Sequence, residues 1–199
     1  MMDVDIRLAN TDDAAGVLAI YAPYCETTSV SFEIAAPTQD QMRERIASVS
    51  GNYPWLVAEM QGRIVGYVYA TRFRERAGYR WTAEVAVYIA ADTHRRGLGK
   101  AMYTSLFAIL RAQGYAKAIA GITVPNPASV RLHESLGFVQ TGMFPGVGHK
   151  DGKWLDVGWW QLDLQPETAS PSEPKPFSSL REATAVAAAI AEGKALLGR

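Results

Sequence analysis

The stretch THRRGLGKAM, residues 93–102, sets Arg95, Arg96, Gly97, Leu98, Gly99 and Lys100 in direct succession. Cations and glycines at this density suit a phosphate group. Arginine and lysine supply charge, and glycine lets a backbone come close. The Walker A loop needs a hydroxyl after its lysine for magnesium, and Ala101 follows Lys100 here. The dinucleotide fingerprint needs a third glycine where Met102 stands. Two readings remain for the loop alone. One is a basic surface turn. The other is a pyrophosphate cradle at a helix start, where unpaired N–H groups and the helix dipole favour an anion.

The flanking elements favour the cradle. WTAEVAVYIA (81–90) is a long, mostly apolar strand fit for a sheet centre, and 97–113 reads as a helix with Leu98, Met102, Leu106 and Leu110 on one face, ended by Gly114. Upstream, DIRLA (5–9) alternates as a strand, and Thr11 ahead of Asp12 and Asp13 starts a helix to about Tyr24. TTSVSFE (27–33) is β-branched and extended, and Thr38 opens a helix to about Val49. YPWLVAEM (53–60) and GRIVGYVYATRF (62–73) form a hairpin around Gln61-Gly62. KAIAGITV (117–124) is a further strand, Pro127 to Leu136 a short helix closed by Gly137, and 138–144 with 153–164 a last hairpin. Residues 166–177 are rich in Pro, Ser and Glu and read as a linker; the Ala-rich segment 180–198 reads as a helix that docks on the domain or a partner, or frays.

With the motifs placed on elements, RRGLGK resembles the Q/R-x-x-G-x-G/A signature of the GNAT N-acetyltransferases. NPASVRLHESLGF (126–138) is similar to that family's later Asn…Leu-Tyr-x-x-x-Gly-Phe motif. YPWLVAE, YRWTAEVAVY, RGLGKAMYTSL and KWLDVGWWQLDL, with the preceding block, resemble the phosphinothricin N-acetyltransferase branch in order over roughly residues 4 to 164. The resemblance implies an α/β (α+β) GNAT fold, with a mixed sheet of about six to seven strands flanked by helices. It implies a domain over 1–164; the last 35 residues have no counterpart in it, and their composition alone gives a linker (165–179) and an extra helix (180–199). The resemblance also implies acetyl-CoA as co-substrate, a small amine as acceptor, and a homodimer.

Acetyl transfer from a thioester to an amine has three needs. The amine must lose a proton, the oxyanion must be stabilised, and the thiolate must leave. By resemblance Glu84, in WTAE, is the general base; a carboxylate is a weak base for an amine unless water relays the proton or its pKa is raised. The plain alternative is a salt-bridged glutamate at a strand start. The backbones of Val87, Tyr88 and Ile89 would meet the pantetheine arm as an added strand, one N–H serving the oxyanion. His133 stands where most of the family has tyrosine. It would protonate the sulfur or order the substrate, or is a surface histidine satisfied by a neighbour. Asn126 caps the helix carrying His133, and by resemblance Asn126 and Ser135 also touch coenzyme A. Arg95, Arg96, Gly97, Leu98, Gly99 and Lys100 would hold its pyrophosphate.

On the acceptor side, Arg74 and Arg76 in RFRERAGY are forks suited to carboxylate or phosphinate oxygens, or are a solvated loop; Tyr79 follows, and Phe32 offers an apolar wall. No cysteine falls in the motifs, so transfer is direct, in a ternary complex. An acyl-CoA-binding sensor without turnover and a peptide or protein N-acetyltransferase remain alternatives; Glu84 argues against the first and the features near Arg74 against the second.

The bulk numbers suit one domain with a sizeable core. The 199 residues are 48 % hydrophobic, and 20 basic side chains balance 20 acidic ones, so nothing marks a nucleic-acid binder. Cys25 is the one cysteine, which fits a reducing compartment and a cytoplasmic location. No apolar run approaches the ~20 residues of a membrane span, and no secretory signal is legible. His94, His133 and His149 lack ligand spacing with Cys25 or paired acids, so no metal is expected.

Overall fold

The computed structural model describes residues 4–197; the ends of the first and last expected segments, 1–3 and 198–199, lie outside them. The elements are β1 (Val4–Leu8), α1 (Ala14–Thr27), α2 (Gln39–Val49), β2 (Trp55–Met60), β3 (Arg63–Arg72), β4 (Thr82–Ile89), α3 (Leu98–Gln113), β5 (Lys117–Val124), α4 (Pro127–Ser135), β6 (Val139–Lys150), β7 (Lys153–Asp163) and α5 (Thr184–Lys194). The strands form a mixed seven-stranded sheet in the order β1-β2-β3-β4-β5-β7-β6. β4 and β5 are its parallel pair, and α3 makes the crossover between them.

Two departures from the sequence reading have identifiable physical causes. Asn10, not Thr11, caps the first helical turn: its side chain accepts from the Asp12 N–H, while the Asp13 carboxylate accepts from the Asn10 N–H. Arg7 then bridges Asp13 and Glu59, locking this corner to β2. The segment 27–33 is no strand. Thr27 ends α1, and the chain then loops over it, with hydroxyls of Thr28 and Ser31 taking the backbone bonds a ladder would supply.

Side-chain alternation gives the sheet two faces. Ala83, Val85, Val87 and Ile89 of β4 pack on the side of α3, where Leu98, Met102, Leu106 and Leu110 are buried. Tyr88 faces the other side, with Trp55, Tyr67 and Tyr69, under α1 and α2. The chain after β7 is part of this packing. Phe177 is buried in the α3-side core, which stabilises by roughly 1.5–3 kcal/mol. α5 lies on α3, with Val186 and Ala189 buried. At their crossing Gly193 faces Ser105 and the Ala101 carbonyl so closely that a Cβ would stand 2.1 Å from Ser105 Oγ.

Candidate active site

β4 and β5 pair only over Thr82–Glu84, opposite Lys117–Ile119. Beyond Glu84 the two strands part, although β4 stays paired with β3 to Ile89 and β5 with β7 to Val124. The β5-facing backbone groups of Val85 to Tyr88 therefore have no ladder partner. The parting opens a cavity of about 60 Å³ lined by Val85–Tyr88, Tyr103, Ala120–Thr123, Asn126, Ser129, His133 and Val30. An exposed strand edge beside a narrow cleft suits an extended, amide-bearing chain.

The RRGLGK loop starts α3 beside this edge. Arg95 (φ 63°) and Gly97 (φ 77°) adopt the left-handed conformation that turns the chain into the helix. The first intrahelical bond runs from the Ala101 N–H to the Gly97 carbonyl, so the N–H groups of Leu98, Gly99 and Lys100 precede the ladder. Arg95, Arg96 and Lys100 are exposed around them. Leu98 itself is buried. Gly99 meets a requirement beyond the one its sequence context suggests. A Cβ there would stand 2.8 Å from Leu132 Cδ2, so Gly99 also makes room for α4.

Glu84 is the last β4 residue paired with β5, just where the strands part, and it lies next to the residues that line the cleft without being one of them. It faces the α1/α2 side of the sheet, with Ala86 and Tyr88. Burial pushes its carboxyl above the ordinary range, and Arg74 partly offsets the rise. Tyr69 stands across from Ala86 on the same face. Burial, then the charge of Glu84, lifts its hydroxyl to about 12, and the charges of Arg45 and Glu33 also reach it.

His133 is buried, at 3 % exposure, and both ring nitrogens are engaged. The Ser129 carbonyl can only accept, so Nδ1 carries the proton and donates to it at 2.8 Å. Nε2 then accepts from the Tyr103 hydroxyl at 2.9 Å. Burial lowers the imidazole pKa and raises that of Tyr103, so both groups rest neutral. Sequence reasoning missed Tyr103, whose place on the apolar side of α3 reads as core.

Asn126 caps α4, its side chain accepting from the Ser129 N–H at 3.1 Å, and also lines the cleft. Ser135 lies apart from that lining; its hydroxyl donates to the Leu132 carbonyl at 2.7 Å. Val87 and Tyr88 line the cleft. Ile89 does not, and its carbonyl accepts from Tyr24 at 2.7 Å.

On the Glu84 face, Tyr79, Phe73, Trp159 and Phe144 form a chain of edge-on aromatic contacts. The Arg74 guanidinium lies 4.4 Å from the Phe73 ring centroid and 5.7 Å from that of Trp159. The Trp159 ring packs against Gly121, where a Cβ would meet it at 3.2 Å. Arg74 and Arg76 both rim a larger cleft of about 330 Å³, which runs past Thr82 to Tyr115 and Pro174. Phe32 stands across β6, its ring against Gly148. Among the described residues no cluster of His, Cys, Asp or Glu could hold a metal ion, and no helix is long and apolar enough to cross a membrane.

Known proteins resemble this chain in sequence and fold. The "Acetyltransferase (GNAT) domain" family matches residues 6–159. The phosphinothricin N-acetyltransferase of Streptomyces viridochromogenes is 39 % identical over 173 residues, covering 87 % of this chain and 92 % of its own. The L-methionine sulfoximine/L-methionine sulfone acetyltransferase of Pseudomonas paraeruginosa is 36 % identical, covering 85 % and 100 %. A GNAT superfamily phosphinothricin acetyltransferase from Sinorhizobium meliloti, solved in complex with AcCoA, superposes with a TM-score of 0.81 at 33 % identity over 86 % of this chain and 95 % of that one. With its parted β4 and β5 and its α3 loop, the chain belongs to the GNAT acetyltransferase family.

Proposed function

We propose that the chain is an acetyl-CoA-dependent N-acetyltransferase. It acetylates the amino group of a small amino-acid-like acceptor of the phosphinothricin, methionine sulfone or methionine sulfoximine type, in a ternary complex. The observation that carries this reading is the cleft where β4 leaves β5, with Glu84, whose carboxyl pKa burial raises, as the last paired residue before the parting. The relatives named for those acceptors support the substrate class.

Acetyl-CoA, when bound, supplies an electrophilic thioester carbonyl. The free edge of Val87 and Tyr88 pairs with its pantetheine arm, and a backbone N–H of that edge donates to the carbonyl oxygen as negative charge develops. The first-turn N–H groups of α3, with Arg95, Arg96 and Lys100, hold the pyrophosphate. Glu84 accepts the proton of the acceptor ammonium, directly or through one water. Its raised pKa makes it a better base than an exposed glutamate. Arg74 and Arg76 face the acceptor's anionic group, with Tyr79 and Phe32 as walls. Cys25 is buried under the 28–33 loop, which fits direct transfer without an acetylated cysteine. His133 acts through Tyr103. Its lone-pair nitrogen fixes the hydroxyl at the cleft floor, and neither neutral group is poised to give up a proton.

The pairing we propose is a homodimer across the last hairpin, where Val139, Met143, Phe144, Val147 and Trp154 are exposed. α5 turns Val186 and Ala189 into its own chain, so it offers less to a partner than its sequence suggests. The acetyltransferase domain of this reading is 1–164 in a cytoplasmic enzyme; the chain that follows is more than a linker and an added helix, since Phe177 and α5 (Thr184–Lys194) pack on the α3 side of that domain.

The deciding experiment measures thiol release from acetyl-CoA with phosphinothricin, methionine sulfone, methionine sulfoximine and a peptide panel. Turnover with the small amines and none with peptides is expected. Acetyl-CoA binding without turnover on any amine would identify a sensor instead.

A further inference from the structure

Lys150 ends β6, and its side chain turns inward until the residue is only 3 % exposed. A lysine is seldom buried this far unless its charge is compensated. An ammonium has three N–H donors and no acceptor. Lys150 uses all three on backbone carbonyls: Cys25, Ser31 at 2.8 Å and Glu33 at 3.0 Å. These carbonyls belong to α1 and to the two residues flanking Phe32. The Glu33 carboxylate, also within reach of the Lys150 charge, is held by Arg45 and by the Tyr21 hydroxyl, which also bonds Ser31.

The loop so tied has no ladder of its own. It carries Val30 to the rim of the β4–β5 cleft and lays the Phe32 ring against the backbone of Gly148, two residues before Lys150. A Cβ at 148 would fall 2.3 Å from Phe32 Cζ, so the ring rests where only glycine admits it. The network below the loop reaches Glu84 electrostatically, since Tyr69 feels both Glu33 and Glu84.

We propose that Lys150 is a positioning residue that sets acceptor selectivity. By gathering the carbonyls of Cys25, Ser31 and Glu33 it holds the loop and fixes Phe32 as an acceptor wall, and so limits the width of the side chain an acceptor amine carries. This rests on the N-acetyltransferase reading of the cleft.

The test uses the full chain, saturating acetyl-CoA, and two amines, methionine sulfone and the bulkier phenylalanine. Lys150→Met keeps the stem and removes the donors. It is expected to raise KM for methionine sulfone and to cut the kcat/KM preference for it over phenylalanine by about tenfold, the low end of what a shaped pocket contributes. The kcat and the KM for acetyl-CoA stay within about twofold, a split that general unfolding would not give. Gly148→Ala, which displaces Phe32 with Lys150 intact, shifts the preference the same way and serves if Lys150→Met fails to fold. Limited proteolysis between 28 and 37 reads the clamp without any activity and is expected to quicken in Lys150→Met. Unchanged preference in both variants overturns the proposal, as does acetyl-CoA KM rising in step with amine KM. If the wild type acetylates no amine, the reading of the site fails separately, and unchanged proteolysis then decides against the clamp.

Discussion

Replacing Glu84 by glutamine separates its chemistry from its contribution to the fold. Gln keeps the size and removes the charge and the basic lone pair. A general base contributes typically 10²–10⁴-fold, so kcat with methionine sulfone falls at least about 10²-fold, or about 2.7 kcal/mol at 1.36 kcal/mol per decade. The stability effect has the opposite sign. Burial lifts the carboxyl pKa above the ordinary 4.5, and the charge of Arg74 opposes the rise. The folded state then binds the proton more tightly than the unfolded chain does. Stability at this site is lost as pH rises from the unfolded pKa through the folded one, and the loss persists above it. Glu84→Gln removes that penalty, so at pH 8 its Tm matches or exceeds the wild type, and the gap closes below pH 4.5. Steady-state kinetics beside thermal unfolding at pH 8 and pH 4 measure both effects. A near-normal kcat refutes the base assignment. A lower Tm at pH 8 refutes the burial argument, because it means the carboxylate is favourably partnered in the fold.

Three further outcomes follow from particular contacts. His133→Ala strands the buried Tyr103 hydroxyl, with a cost of about 1–3 kcal/mol in urea unfolding. Wild-type stability at that site should also fall as pH drops below the unfolded histidine value of 6.5, because the folded imidazole pKa is lowered and the unfolded chain takes the proton first; a pH-independent effect of His133→Ala between pH 5 and 8 would contradict this. Arg95→Gln with Lys100→Gln should raise the acetyl-CoA KM, with a weaker effect at 0.5 M salt than at 0.05 M, since exposed charges are screened; an equal rise in the KM for the amine would move the loop out of the cofactor site. Gly193→Ala must push α5 off α3, and overpacking of this kind costs about 1–3 kcal/mol; an unchanged unfolding midpoint would show that α5 is not held there.

Much of the architecture is legible in the sequence, because period-2 and period-3.6 patterns, caps and Gly stops act over a few residues. Leu98, Met102, Leu106 and Leu110 declare the buried face of α3 by their spacing alone, and all four are buried there. RRGLGK marks a helix start beside a central strand for the same local reason. The sequence also points to Glu84, but only through resemblance, since a lone glutamate in a strand carries no chemical signature.

What the tertiary structure alone decided depends on residues distant in the chain. β4 and β5 are each good strands, and no pattern within either tells that their pairing stops at Glu84. Gly99 looks like a phosphate glycine, and its missing Cβ also makes room for Leu132 of another helix. TTSVSFE has the composition of a strand, but hydroxyls of the loop and the Lys150 ammonium, more than a hundred residues on, take up its backbone groups. Tyr103 and His133 lie thirty residues apart and meet only because α4 packs on the start of α3. Local propensity acts over a few residues, whereas the pKa of a carboxyl, the tautomer of an imidazole and the shape of a loop depend on what burial brings alongside them.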